Sequence, residues 1–257
     1  HTSGLPNYTE DGRFLLRYFG QPGKRWEPGE LLGVIRNRPL KFPPGARHEY
    51  SNTNYVLLGI ILETVTGRPY GLLVQELVSR LGLEETYALT YPDQVPVATG
   101  YDQSLFGLGR RNMSRFRTSL ETGAHAAGAI LATSQDAAHF LHALMTAQLL
   151  PEPLMAQMQD FVEAPDDDVP AQQGYGLGLR QLMVAGEPFV GHTGTIAGYS
   201  NVAVHHTEKG YTLIILSNLS VIDQLGLLGR MQAAVNALPA VPHAGTGSVD
   251  APHEGVI

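Results

Sequence analysis

Residues 42–67 read FPPGARHEYSNTNYVLLGIILETVTG, and the fold is decided here. Two prolines and a glycine mark a turn. After it, Ser51 or Asn52 can cap a helix by accepting a hydrogen bond from a first-turn N–H. Val56, Leu57, Ile60, Ile61 and Val65 then recur at helical spacing, and Gly67 followed by Pro69 stops the run. A second helix is predicted from Pro69 to Leu81, with Leu72, Leu73, Leu77 and Leu81 on its buried face. Tyr50-Ser51-Asn52 therefore stands at the mouth of a helix.

Upstream, residues 1–49 are rich in Gly, Pro and Arg and read as turns around short helical pieces such as Gly29 to Arg36. The opening HTSGLPNY crowds His1, Thr2 and Ser3 together. Sequence neighbours seldom form a working nucleophile and base, which meet in space from separate elements, so spacing alone leaves this stretch open between a catalytic cluster at a processed terminus and a scar. Downstream, residues 86–126 read as irregular. A capped helix is predicted from Ser134 to Ala147 and a short one over 151–159. EAPDDDVPAQQ, residues 163–173, reads as an exposed acidic loop and an internal boundary.

Beyond it the period changes from helical to alternating. GYGLGLRQLMV, EPFVGHTGTI, YSNVAVHH and YTLIILSN are each bounded by Gly-containing turns, and predict an antiparallel run of strands. An amphipathic helix from Asp223 to Leu238 closes it, with Leu227, Leu228, Met231 and Val235 toward the sheet. The expected organisation is a mostly helical part over 1–165, a sheet with its helix over 172–238, and a disordered tail over 239–257.

With 43% hydrophobic and 16% charged residues, the 257-residue chain has the composition of a globular protein with buried cores. A net charge of −7 argues against nucleic acid as a partner. Arg110, Arg111, Arg115 and Arg117 are a local exception, read as a solvated arginine loop or an anion site. The absence of cysteine removes disulfides, thiolate metal sites and a cysteine nucleophile. No apolar run approaches the roughly 20 residues of a membrane span.

Two stretches stand apart from packing logic. In the first, a tyrosine whose phenol pKa is lowered by neighbouring cations can shuttle protons, and an asparagine two residues on can bind a carbonyl. Equally, it can be a helix cap with a buried tyrosine. The second is His192-Thr193-Gly194-Thr195, where a glycine inside a strand admits a close approach to the backbone and hydroxyls can bind a carboxylate. A bulge glycine is the alternative. The pairs His139/His142 and His205/His206 lack an obvious third ligand, so no metal is expected. GYGLGL, residues 174–179, is followed by strand and not helix, which discounts a phosphate loop.

Together these two stretches, about 140 residues apart by the numbering, resemble the penicillin-recognising serine hydrolases. The resemblance is nearest to serine D-alanyl-D-alanine carboxypeptidases and class C β-lactamase-like esterases. It extends over HTSGLP, the 42–67 run, AAGAILATSQDAAHF and QGYGLGLR, covering essentially residues 1–238. It implies an α+β fold of the serine β-lactamase/DD-peptidase type. It implies that Tyr50 helps deprotonate the nucleophile and reprotonate the leaving amine, and that Asn52 holds the substrate's acyl amide. Thr195 would lend its N–H to an oxyanion hole, with His192 where lysine usually stands. Thr193, Thr195 and Arg180 would bind the terminal carboxylate, a guanidinium fork matching its two oxygens. The implied partner is a peptidoglycan stem peptide or a β-lactam, met outside the cell or in the periplasm by a monomer without a cofactor.

One departure matters. The three lysines, Lys24, Lys41 and Lys209, include none three residues after a serine, so the family's Ser-x-x-Lys nucleophile is absent. The expectation is a longer natural product in which HTSGLPNY is a structural loop near the rim of the cleft; this chain alone would be inactive and would leave an apolar face and a sheet edge uncovered. A β-lactamase or esterase of the same fold is one alternative, and a non-catalytic protein binding peptidoglycan or a partner is another.

Overall fold

The computed structural model describes residues 1–89, 95–103, 109–166 and 168–239. The residues expected to form a tail lie, from 240 onward, outside that description. In chain order the elements begin with helices α1 (Gly12–Gly20), α2 (Pro28–Gly33), α3 (Asn52–Thr66) and α4 (Tyr70–Arg80). Short strands β1 (Tyr87–Ala88), β2 (Tyr101–Asp102) and β3 (Arg111–Asn112) follow, then α5 (Arg117–Ala124), β4 (Ile130–Leu131), α6 (Ser134–Met145) and α7 (Glu152–Met158). Next come β5 (Val162–Glu163), β6 (Gln172–Tyr175), β7 (Arg180–Val184), β8 (Glu187–Ile196), β9 (Tyr199–His206) and β10 (Thr212–Ser217), with α8 (Gln224–Asn236) last. This is the expected α+β mixture.

The sequence and the structure agree closely where the signal is local. α3 starts after Ser51, whose backbone is extended, and ends at Gly67, whose φ of +66° is the left-handed stop that glycine adopts without strain. β8 and β9 have the bounds predicted from alternation, while the GYGLGLR run divides into β6 and β7 around a turn. These strands form one antiparallel sheet of order β10-β9-β8-β7-β6-β5. Its two faces are packed differently. Phe189, Leu182, Val202, Val204 and Leu213 meet Leu228 of α8 on one side. Val190 and Leu179 meet Leu144 of α6 and Met155 of α7 on the other.

The helical half is organised by a third cluster, in which Tyr8, Phe14, Tyr18, Trp26, Leu31, Val56, Met113, Phe116 and Leu120 pack together. Its buried polar tips are satisfied: the Tyr8 hydroxyl donates to the Gly123 carbonyl at 2.6 Å, and Trp26 Nε1 donates to Ser119 Oγ at 2.9 Å. Ile196 and Ala197, at the end of β8, pack against this same cluster. The end of the sheet is thereby tied to the helices.

Four expectations are corrected. On α3, Val56 and Gly59 are buried, but Ile61 is exposed and Val65 is 79% exposed. On α4, Gly71 and Val78 are buried while Leu72 and Leu77 are 52% and 42% exposed. The physical reason is that both helices are apolar on more than one face, and among the described residues the second face has nothing packed over it. Third, residues 163–173 are not simply a loop. Glu163 belongs to edge strand β5, Ala164 and Gln172 are buried, and Asp166 turns inward to Arg180. Fourth, the stretch read as irregular contains α5 and the β2–β3 pair. No single helix among the described residues is long and apolar enough to cross a membrane.

Candidate active site

The site forms where the turn before α3 meets the ends of β6, β7 and β8. Tyr50 is brought there by the PPGARHE turn; its ring lies 6.3 Å from that of His192 and has the Arg180 guanidinium carbon 5.3 Å from its centroid. Arg180, 6% exposed, is held by Asp166 at 3.0 Å and by the Gln172 amide oxygen. Both partners engage Nη1, and its buried Nε has no partner among the described residues.

Tyr175 completes the cluster, and sequence reasoning did not single it out. Its hydroxyl lies 2.9 Å from His192 Nε2 and 3.2 Å from His1 Nε2. The His1 ring also packs 4.1 Å from that of Tyr50 and 5.4 Å from that of Tyr55. Its Nδ1 accepts from the backbone N–H of Ser51 at 3.3 Å, which leaves the proton on Nε2 to point at Tyr175. Tyr175 in turn donates to His192. His1 is thus part of the site's wall and hydrogen-bonding chain, a closer involvement than a rim loop.

Burial sets the electrostatics. His192 is pushed down to about 4, first by desolvation and then by Arg180, so it is neutral at pH 7. The Tyr50 phenol is pushed up by burial; Arg180 opposes the shift without reversing it. This differs from the expectation that nearby cations lower it, because an occluded phenol loses more hydration than one paired guanidinium returns. Burial also raises Tyr55 and Tyr175.

The edge of β8 supplies the rest. The two-residue turn between β7 and β8 makes Val184 and Glu187 opposite partners, and pairing ends at Arg180 opposite Gly191. In such a ladder alternate residues aim their N–H and C=O groups at the same neighbour. Thr193 and Thr195 therefore present theirs on the side where β7 has ended. Pairing with β9 continues to Ile196 opposite Tyr199, so this edge is rigid as well as open. Side chains alternate too: His192 and Thr193 leave opposite faces. Thr193 is buried, and Thr195 is exposed.

Asn52 stands at the start of α3 with its Nδ2 committed to Asn7 Oδ1 at 3.3 Å and Thr9 Oγ1 at 3.2 Å. Its own Oδ1 has no hydrogen-bond partner among the described residues, leaving an acceptor. The turn after β8 is braced from behind. The Gly198 N–H donates to Ser220 Oγ at 2.5 Å, and that hydroxyl donates to the buried Asp102 carboxylate. Tyr50, Arg180 and His192 are thus assembled together, Thr195 contributes its backbone edge, and the Thr193 side chain points to the opposite face of the sheet from His192. Elsewhere, His206 donates to Glu187 and accepts from the turn N–H groups of Glu208 and Lys209, a structural use of its ring.

A family model described as Beta-lactamase matches residues 1–235. Among solved structures, a D-stereospecific amidohydrolase from Streptomyces sp. is 31% identical, with a TM-score of 0.75, covering 86% of this chain and 66% of that one. The D-amino acid amidase from Ochrobactrum anthropi SV3, complexed with D-phenylalanine, is 25% identical with a TM-score of 0.78, covering 93% of this chain and 71% of that one. A protein of Escherichia coli strain K12, provisionally named as a D-alanyl-D-alanine carboxypeptidase, is 44% identical over 61 residues. That match spans 23% of this chain and 14% of the relative.

Proposed function

The chain belongs to the beta-lactamase family, and on that premise we propose that it forms the greater part of a serine-type D-alanyl-D-alanine carboxypeptidase. The substrate is a peptidoglycan stem peptide met outside the cytoplasm, the reaction passes through an acyl-enzyme, and penicillin is bound in the same cleft. The observation that carries the reading is the open edge of β8 beside Tyr50 and Arg180. An extended peptide laid along it has an N–H donor at Thr195 for the carbonyl oxygen that becomes an oxyanion. Its acyl amide N–H reaches the free Asn52 Oδ1, and its carboxylate lies toward the Arg180 guanidinium beside Tyr50.

The nucleophile in this scheme is a serine outside these 257 residues, since no Ser-x-x-Lys occurs within them. Tyr50 works as a relay. Its phenol is raised by burial and stays protonated at neutral pH, so it takes the serine proton as its own proton passes to the departing nitrogen. The C–N bond breaks, a serine ester forms and D-alanine leaves; water then attacks the ester with proton flow reversed. His192 is neutral and bound by Tyr175, which makes it a hydrogen-bonding member of the wall beside the Arg180–Asp166 ion pair.

A second reading, hydrolysis of D-amino-acid amides, is favoured by the likeness to the D-amino acid amidase from Ochrobactrum anthropi. The two share acyl-enzyme chemistry and differ in the leaving group. Protein from the complete reading frame, assayed for D-alanine release from a D-Ala-D-Ala peptide and ammonia release from D-phenylalanine amide, separates them. Faster D-alanine release supports the carboxypeptidase; hydrolysis of the amide alone replaces it with the amidase. The 257-residue chain by itself should take no covalent label from fluorescent penicillin.

A further inference from the structure

Between α1 and the β3 region lies a groove of about 1040 Å³ that takes no part in the chemistry above. Its floor is apolar: Leu15 and Phe19 from α1, and Met113 and Phe116 from the opposite wall. Leu16, 73% exposed, stands beside them. Over this floor rise Arg111 and Arg115, both exposed.

Among the described residues these guanidiniums are uncompensated. Neither has a carboxylate within salt-bridge distance among the described residues, whereas their neighbour Arg117 pairs with Glu121 at 2.9 Å. Arg115 is held along the wall, its guanidinium carbon 4.6 Å from the centroid of the Phe116 ring. In a chain of net charge −7, an apolar trough edged by unpaired arginines is a local inversion of character.

We propose that this groove binds an amphipathic carboxylate, with its apolar tail on Leu15, Leu16 and Phe19 and its headgroup between Arg111 and Arg115. A guanidinium offers a carboxylate two parallel donors, and the apolar floor gives the tail a surface to dehydrate. Neither feature alone selects this ligand. Arginines without the floor would take any small anion, and the floor without arginines would take any oil. The groove also backs onto the end of β8, because Ile196 and Ala197 pack in the cluster that contains Met113 and Phe116. The inference is independent of the proposed reaction.

Calorimetric titration of protein from the complete reading frame with decanoate below its micelle concentration tests it. One saturable site is expected, with acetate and decyltrimethylammonium at least tenfold weaker. Arg111→Ala/Arg115→Ala should weaken decanoate at least tenfold while the circular dichroism spectrum is kept. Should that variant not fold, Leu16→Asp, at an exposed position, should show the same loss. The proposal is overturned by the absence of saturable binding or by equal affinity for the cationic analogue. Equal affinity for acetate, or decanoate binding untouched in a folded variant, overturns it too. Binding to phosphatidylglycerol vesicles without binding of monomeric decanoate would reassign the groove to a membrane surface and overturn it as well.

Discussion

The Tyr175 hydroxyl donates to His192 Nε2 across 2.9 Å while accepting from His1 Nε2 at 3.2 Å, so one phenol joins the first residue of the chain to the strand that edges the cleft. Removing it leaves two ring nitrogens without their partner. Tyr175→Phe should cost about 1–3 kcal/mol, the penalty for unsatisfied buried polar groups. A shift in urea midpoint at constant slope checks this; an unchanged midpoint would show that the bonds contribute nothing.

The depressed His192 makes stability depend on pH. Its folded value, about 4, lies below the ordinary 6.5, so between these values the unfolded chain binds more protons. This contribution is complete above pH 6.5 and is lost as pH falls toward 4, amounting to about 3 kcal/mol. His192→Gln, which keeps an acceptor for Tyr175, should flatten that part of the curve. Denaturation of both proteins at pH 7, 5.5 and 4.5 gives the comparison, and parallel curves would remove His192 as the cause.

Asp166 and Arg180 form an ion pair with the arginine almost wholly buried. Breaking such a pair from one side strands the other charge, at a cost of about 3–5 kcal/mol. Asp166→Asn should therefore lower the melting temperature clearly, and Asp166→Asn with Arg180→Met should recover part of the loss. A double variant as unstable as the two single losses combined would indicate that the pair is not coupled.

Gly4 and Gly67 separate two ways in which glycine is required. Both have positive φ, +75° and +66°. A Cβ at Gly67 meets open space, but at Gly4 it would lie 2.1 Å from the Phe42 carbonyl oxygen. Gly67→Ala should cost about 1 kcal/mol from backbone strain. Gly4→Ala should cost more and disturb the loop that carries His1. Equal losses in chemical denaturation would mean that the carbonyl yields easily.

Much of this architecture was legible because its signals are local. Alternation and flanking turns set the bounds of β8 and β9, and a cap and a left-handed glycine set those of α3. α5 was not legible: Thr118, Ser119, Thr122 and Gly123 are poor helix formers. That helix is held by tertiary bonds, from Trp26 to Ser119 Oγ and from Ser119 to the Tyr18 carbonyl. The site shows the same division. Tyr50, Asn52, His192 and Arg180 lie in short motifs, whereas the partnership of His1 with Tyr175 spans 174 positions and exists only after folding. Which apolar faces of α3 and α4 are covered depends on what packs against them, and helical spacing alone does not say.

The central claim is that Tyr50 relays a proton in hydrolysis of a D-alanyl-D-alanine peptide. The direct measurement is kcat/KM for D-alanine release by protein from the complete reading frame, with and without Tyr50→Phe. A fall of about 10²–10⁴-fold with the melting temperature preserved is predicted, the usual scale of a general acid–base group. A Tyr50→Phe protein that releases D-alanine within twofold of the parent rate would contradict the account.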